Sequence, residues 1–319
     1  MPGGSERGRI DDVEKGIRSF HKAVTAEYER LAPAGAMDIA ERRRIAEIVR
    51  KPWSGGGPPM VETLDLRVGK LNVPIRVHRP VADPTLPVLI YLHGGGWMLF
   101  SLDTHDRLLR EYAARAQVTV VGVDYSLAPE AQFPAPLEEI ASVVSWLRST
   151  DSTACLAPQK IVIGGDSAGA NLALGTNLAL RDANQRMFDG ILLNYGAFDC
   201  SRRQSHDRFG GPEYMLTSDE MDEFWANYLP RDQCDDPLAR PLLADLRGLP
   251  PTFMCIAECD ILADENDEME RRLRQAGVAV TAHSYEGATH SFLEAVSVSA
   301  LADRALQDAS DWLSALVRQ

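Results

Sequence analysis

The chain is poor in the features that would take it outside the ordinary globular class. No stretch approaches the roughly 18 uninterrupted apolar residues that a membrane-crossing helix needs. The opening M-P-G-G-S-E-R-G-R-I-D-D also lacks the apolar core of a secretory leader, so a cytoplasmic location is the expectation. Basic residues are in deficit, 33 against 46 acidic, which makes nucleic acid a poor partner. The one compact basic cluster, E-R-R-R at 41–44, sits among helix formers and reads as a solvated helix face. Cysteine is scarce and unpaired: Cys155, Cys200, Cys234, Cys255 and Cys259 form no C-x-x-C unit, which argues against a disulfide framework and against a zinc site. Cys255 and Cys259 straddle the end of an apolar run and read as buried thiols. Internal repeats and low-complexity tracts are missing as well. What remains, 319 residues with 45% hydrophobic and 25% charged, is enough for one large core and a modest appendage.

The appendage is N-terminal. Ile10, Val13, Ile17, Phe20, Val24, Tyr28 and Leu31 recur at three- and four-residue steps, the stripe of a helix that packs on the body and stops at Pro33. A second helix is predicted over 37–50, and K-P-W-S-G-G-G-P-P at 51–59 reads as a linker. Beyond it come eight strand-like runs, at 61–68, 73–79, 88–93, 118–124, 160–165, 190–195, 252–257 and 278–285. The first two alternate in polarity, as an antiparallel edge hairpin would. The other six are more continuously apolar, as strands buried on both faces are, and most are separated by helical segments. About 55 residues separate the sixth and seventh runs, too many for a simple crossover, so a segment is inserted there. It contains a helix opening on a capping box, Thr217 with Glu220, and carrying Met221, Phe224, Trp225, Tyr228 and Leu229 on one face. Core packing accounts for that face, and lining a pocket is compatible with it.

The chemistry gathers at the ends of these strands. Gly165-Asp166-Ser167-Ala168-Gly169 falls where the fifth strand gives way to a helix, the setting of a nucleophile elbow. A serine hydroxyl is barely ionised at neutral pH, so it needs a base, and the base needs a group to orient it. Of seven histidines only His290, in E-G-A-T-H-S-F, follows the last strand on the carboxyl edge where Ser167 stands. Asp260 directly follows the seventh strand and is the candidate orienting carboxylate, with Glu258, Asp264 and Glu265 as near competitors. Three consecutive glycines, Gly94, Gly95 and Gly96, follow the third strand. Bare backbone amides there, together with that of Ala168, would form an oxyanion hole.

Taken together, H-G-G-G-W (93–97), L-D-T-H-D (102–106), V-D-Y-S-L-A-P-E (123–130), G-D-S-A-G (165–169), C-D-I-L-A-D-E (259–265) and T-H-S-F (289–292) resemble the hormone-sensitive lipase family of α/β-hydrolases, bacterial esterase branch. The resemblance covers the chain from about residue 60 to its end. It implies an α/β-hydrolase fold with a central, mostly parallel eight-stranded sheet flanked by helices and covered by a helical cap. It divides the chain into a catalytic domain at 56–199 and 250–319, with cap segments at 1–55 and 200–249. It also implies hydrolysis of small carboxylic esters, usually short-chain, without metal or cofactor, and a homodimer in many members. Gly95, Gly96 and Ala168 would chiefly form the hole, and Asp260 would be the acid. His93, Tyr125 and Glu130 would fix neighbouring loops. Trp97, Phe100, Asp166, Phe198, Tyr214 and Trp225 are the residues expected to border the substrate. Departures are Phe100 where glycine is common, Ser126 for arginine, Ala170 for glycine, and T-H-S-F for the commoner H-G-F. Phe100 either walls a small acyl pocket, favouring acetyl to butyryl esters, or packs under the cap. An amidase, lactonase or deacetylase would use the same triad. A non-catalytic receptor on this fold would have no use for His290.

Overall fold

The computed structural model describes residues 10–33, 35, 37–149, 152 and 156–318; the first nine residues and Cys155 lie outside them. The eight expected strands form one sheet: β1 (Glu62–Val68), β2 (Val73–Arg79), β3 (Val88–Leu92), β4 (Thr119–Val123), β5 (Ile161–Asp166), β6 (Gly190–Asn194), β7 (Thr252–Cys259) and β8 (Val280–Thr289). Their order is β1-β2-β4-β3-β5-β6-β7-β8. β1 pairs antiparallel with β2 and β2 with β4, and every later pairing is parallel. The inner strands β3 to β6 are buried along their whole length, which explains their unbroken apolar runs. Helices α3 (Leu102–Ala116), α4 (Ala135–Leu147), α5 (Ala168–Asp182), α8 (Ala263–Gln275) and α9 (Ala300–Val317) follow strands and cover the sheet.

The last strand runs four residues past its expected end. Gly287, at φ +76°, absorbs an irregularity, and the carboxylate of Glu258 accepts its N–H at 2.9 Å. Pairing then resumes at Cys259 and Thr289, so β7 and β8 end side by side.

The N-terminal stripe forms α1 (Lys15–Leu31), later than expected, because Glu14 caps it by accepting the N–H of Ile17. Ile10 stands before it in a short 3₁₀ turn and is exposed. Ile17, Phe20 and Val24 are buried. α2 (Ile39–Ser54), capped by Asp38, continues four residues into the stretch that reads as a linker. Pro52 lies in its final turn, where Trp53 packs edge-on against Phe20 with ring centroids 4.7 Å apart. That contact holds the last turn in helical form despite the proline. The inserted segment carries α6 (Gln204–Phe209) and α7 (Ser218–Tyr228), the latter opened by the expected Thr217–Glu220 box. Met221, Phe224, Trp225 and Tyr228 are buried on one face of α7; Leu229 is its C-cap. Cys255 and Cys259 are buried free thiols, and burial pushes the Cys259 thiol up to about 12.

The 41–44 cluster is more than a solvated face. Arg42 is paired with Glu223 of α7. Arg43 donates to the carbonyls of Met98 and Ala128, each at 2.8 Å, and to Glu130 at 2.7 Å. Only Arg44, bound to Glu41 in its own helix, answers to the expectation. The local pattern carries no sign of the partners of Arg42 and Arg43, because all of them lie more than 50 residues away.

The turn from β5 into α5 leaves no room for side chains on its two flanking glycines. A Cβ on Gly169 would stand 1.9 Å from the Leu92 carbonyl oxygen, and one on Gly165 would stand 2.3 Å from the same atom. Gly169→Ala should therefore lower stability by about 2 kcal/mol or more, since neither backbone can give way. A urea midpoint unchanged from the parent would contradict this.

Candidate active site

Ser167 caps the N-terminus of α5 with φ +53° and ψ −119°, a conformation rarely taken by a residue with a side chain. Hydrogen bonds over-determine it. Its N–H donates to Asn194 O at 2.9 Å, and its carbonyl accepts from Asn171 N at 3.2 Å and Ala197 N at 3.3 Å. The hydroxyl donates to His290 Nε2 at 2.9 Å, and His290 Nδ1–H donates to Asp260 Oδ2 at 2.7 Å. Asp260 Oδ1 accepts the N–H of Leu262 at 3.1 Å, which fixes the carboxylate plane. All three residues are buried. The competing carboxylates are engaged elsewhere: Glu258 with Gly287, Asp264 with the N–H of Ser205, and Glu265 with the N–H of Phe198. Burial drives the Glu265 carboxyl well above the ordinary range.

The glycine loop is held by Asp166. This buried carboxylate accepts from the Tyr91 hydroxyl at 3.0 Å and from the Gly94 N–H at 3.1 Å, and faces His105 Nε2 at 3.4 Å. Burial works against charge on both partners. The imidazole nevertheless holds the Asp166 carboxyl below its usual range, and the carboxylate raises His105. Gly94 thus spends its amide on Asp166. Outside helices and strands, none of the described hydrogen bonds takes the amides of Gly95, Gly96 or Ala168. Gly95 and Gly96 have φ of +111° and +60°, and the ring of Phe224 from α7 lies over Gly96 where a Cβ would be. His93 donates from Nδ1 to the Gly94 carbonyl at 2.7 Å, stacks on Tyr125 at 4.5 Å, and is pushed down to about 4 by burial. The Tyr125 hydroxyl donates to the His93 carbonyl at 2.7 Å.

A cavity of about 610 Å³ opens over Ser167 and His290. Val24 and Tyr28 of α1, Ile45 and Arg50 of α2, Gly95, Gly96 and Phe100 of the glycine loop, and Met215, Leu216 and Phe224 of the insertion line it. Of the residues expected to border substrate, Phe100 alone is in this wall. Trp97 is wholly buried behind it, stacked on Tyr228 at 4.3 Å and against Trp225 at 4.5 Å, so that the two tryptophans anchor the glycine loop to α7. Asp166 lies beneath the loop, Phe198 folds over Gly196, and Tyr214 packs edge-on with Phe209 at 5.2 Å. Among the wall residues the sequence reading leaves out, Val24 and Tyr28 belong to the α1 stripe; a wide apolar stripe was the only signal they offered.

Two departures from the family pattern have a common backbone meaning. Phe100 has φ +72° and Ser291 has φ +58°, so each stands in the left-handed region that favours glycine. Ser126 instead binds Glu139 through its N–H and its hydroxyl, both at 2.7 Å. Ala170 is buried within α5.

The α/β hydrolase fold family matches residues 89–294. The chain is 35% identical to an acetyl esterase of Salmonella dublin over 316 residues, covering 97% of this chain and 96% of that one. Among solved structures it is similar to the hyperthermophilic esterase from the archaeon Pyrobaculum calidifontis, with a TM-score of 0.88 and 30% identity over 96% of this chain and 99% of the other. An ester-hydrolase from the metagenome of Lake Arreo, complexed with a derivative of bipyridine phosphonate, also gives 0.88 and 30%, over 96% and 100%. Fold and site thus define an α/β-hydrolase with a serine, histidine and aspartate in hydrogen-bonded series. The chain belongs to the hormone-sensitive-lipase-like family of that fold, and it is a carboxylic ester hydrolase. Among the described residues no helix is long and apolar enough to cross a membrane.

Ser291→Gly removes the left-handed penalty of roughly 1–2 kcal/mol at the cost of chain entropy worth about half of it. It should stabilise the protein by up to about 1 kcal/mol, seen as a higher urea midpoint. Asp166→Ala, by contrast, strips the partner from a buried histidine and from the glycine loop. A loss of about 3 kcal/mol is expected in the same titration.

Proposed function

We propose that the protein is a serine carboxylesterase for short-chain acyl esters, acetyl to butyryl, working through an acyl-enzyme. The observation that carries this is the series Ser167–His290–Asp260, with links of 2.9 Å and 2.7 Å, at the base of a cavity. Ser167 Oγ attacks the ester carbonyl while His290 Nε2 takes its proton, and Asp260 stabilises the imidazolium and fixes its tautomer. Gly95, Gly96 and Ala168 supply N–H donors to the oxyanion, the last from a helix N-terminus. Gly94 is left out because its amide is bound to Asp166. His290 then returns the proton to the leaving alcohol, and water, activated by the same base, releases the acid.

Residues 1–55 and 200–249 serve as the cap, since both contribute wall residues to the cavity. Phe100 sets the acyl limit. Arg50 lies over its ring at 5.0 Å and braces it in the wall, and the acetyl esterase relatives support a small acyl group. The bulk of the 610 Å³ then accommodates the alcohol.

A fluorophosphonate should phosphonylate Ser167 Oγ with loss of HF, adding the mass of the reagent less HF, and Ser167→Ala should abolish both labelling and hydrolysis of p-nitrophenyl acetate. An unlabelled, inactive parent would sink the esterase reading. Phe100→Gly is conformationally permitted at φ +72°. It should shift preference among p-nitrophenyl esters from acetate and butyrate toward octanoate by at least roughly tenfold in kcat/KM, the lower end of what a single methylene is worth in an apolar pocket. An unchanged chain-length profile would remove Phe100 from that role.

A further inference from the structure

We propose that His21, on α1, is a positioning residue for His290, acting through the hydroxyl of Thr289. The inference rests on the reading of His290 as the base and assigns a task to a residue far from it in sequence. His21 Nδ1 is 3.2 Å from the carbonyl of Glu213 in the insertion, and Nε2 is 2.8 Å from Thr289 Oγ1. A carbonyl only accepts, so Nδ1 carries the proton. Burial, with Arg50 nearby adding to it, pushes the imidazole down to about 4 against the help of Glu213, so the ring is neutral at physiological pH. Nε2 is then an acceptor, and Thr289 donates to it. One ring therefore joins α1, the insertion and the end of β8.

The site of attachment matters because of the register. Thr289 pairs with Cys259 across β7 and β8 as the final rung after the irregularity at Ala257/Cys259. The next residue on one strand is Asp260 and on the other His290, and those two are hydrogen-bonded at 2.7 Å. The rung that His21 grips is the one that spaces the acid from the base. Thr289 is fully buried, and its only other described acceptor is the His290 carbonyl at 3.4 Å. Without His21 the hydroxyl must turn toward that carbonyl, pulling on the residue whose ring has to face Ser167. α1 is already fixed against the same strand, because Glu14 N donates to Gly287 O at 2.9 Å. His21 therefore presses on β8 from a held helix.

The test measures kcat and KM for p-nitrophenyl acetate, with thermal melts, in His21→Leu, Thr289→Val, Thr289→Ser and the His21→Leu/Thr289→Val double variant. His290 serves acylation and deacylation alike, so a misplaced ring slows both and leaves KM within about twofold. His21→Leu and Thr289→Val should each lower kcat about ten- to a hundredfold, the effect of a displacement near 1 Å. Thr289→Ser, which keeps the hydroxyl, should stay near the parent, and the double variant should be no worse than the worse single one. A purely structural role would lower melting temperature without this pattern. The proposal falls if folded His21→Leu and Thr289→Val keep kcat within twofold, if the loss lies in KM, if Thr289→Ser fails as badly as Thr289→Val, or if the two losses multiply. Should His21→Leu not fold, Thr289→Val against Thr289→Ser decides it with His21 intact. A labelled, active parent with unaffected variants defeats this inference alone; an unlabelled, inactive parent defeats the esterase reading first.

Discussion

The strained turn at Ser167 is the constraint on which the other parts depend. A side-chain-bearing residue at φ +53° and ψ −119° persists only where its surroundings leave no alternative. Here the surroundings are backbone: the Leu92 carbonyl lies where a Cβ on Gly165 or Gly169 would be, and Asn194, Asn171 and Ala197 bind the serine's own peptide groups. β3, β5 and β6 must all be in register for those contacts to exist. The turn aims the hydroxyl off the sheet edge and places the Ala168 amide beside it, at the start of a helix. The energy for this comes from a core of strands buried on both faces, which is also why the site needs so large a scaffold.

Around that turn, charge is handled by pairing and not by exposure. Asp166, next to Ser167 in sequence, points away from the cavity and fixes the glycine loop through Tyr91, Gly94 and His105. It is a scaffold residue inside the nucleophile motif. The loop is gripped from its other side by Trp97 against Tyr228 and Trp225, and Arg43 of α2 holds the Met98 carbonyl. The N-terminal helices and the insertion thus bear directly on the glycine loop that lines the cavity. Phe100 and Ser291 both hold a left-handed backbone, the conformation that glycine takes most readily, so the turn at each is fixed by its surroundings and not by the side chain.

How much was legible without coordinates follows a clear line. Ser167, His290 and Asp260 could be placed because each follows a recognisable strand, and strands parallel to one another end on one edge. The inner strands were readable because burial on both faces leaves unbroken apolar runs, and β1 and β2 because half-burial leaves an alternation in polarity. The cavity wall was not readable in the same way. Trp97, Phe198, Tyr214 and Trp225 are large and aromatic, and that quality suits the core as well as it suits a pocket; they are buried behind the wall or beside it. The end of α2 was misread because Pro52 outweighs, locally, a contact that Trp53 makes with Phe20 more than 30 residues away. Nothing at positions 41–44 announces that Arg42 and Arg43 reach across to Glu223 and Glu130.

The sequence by itself therefore determined the fold class and the places of Ser167, Asp260 and His290 directly after β5, β7 and β8, since each of these is written in a local pattern of strand, turn and residue type. Tertiary structure decided which glycine amides stay free, which side chains reach the cavity, and that His21 meets Thr289 from 268 residues away. Those outcomes depend on the packing of helices whose faces are all apolar in much the same way. Periodicity tells which face turns inward, but not what it meets there.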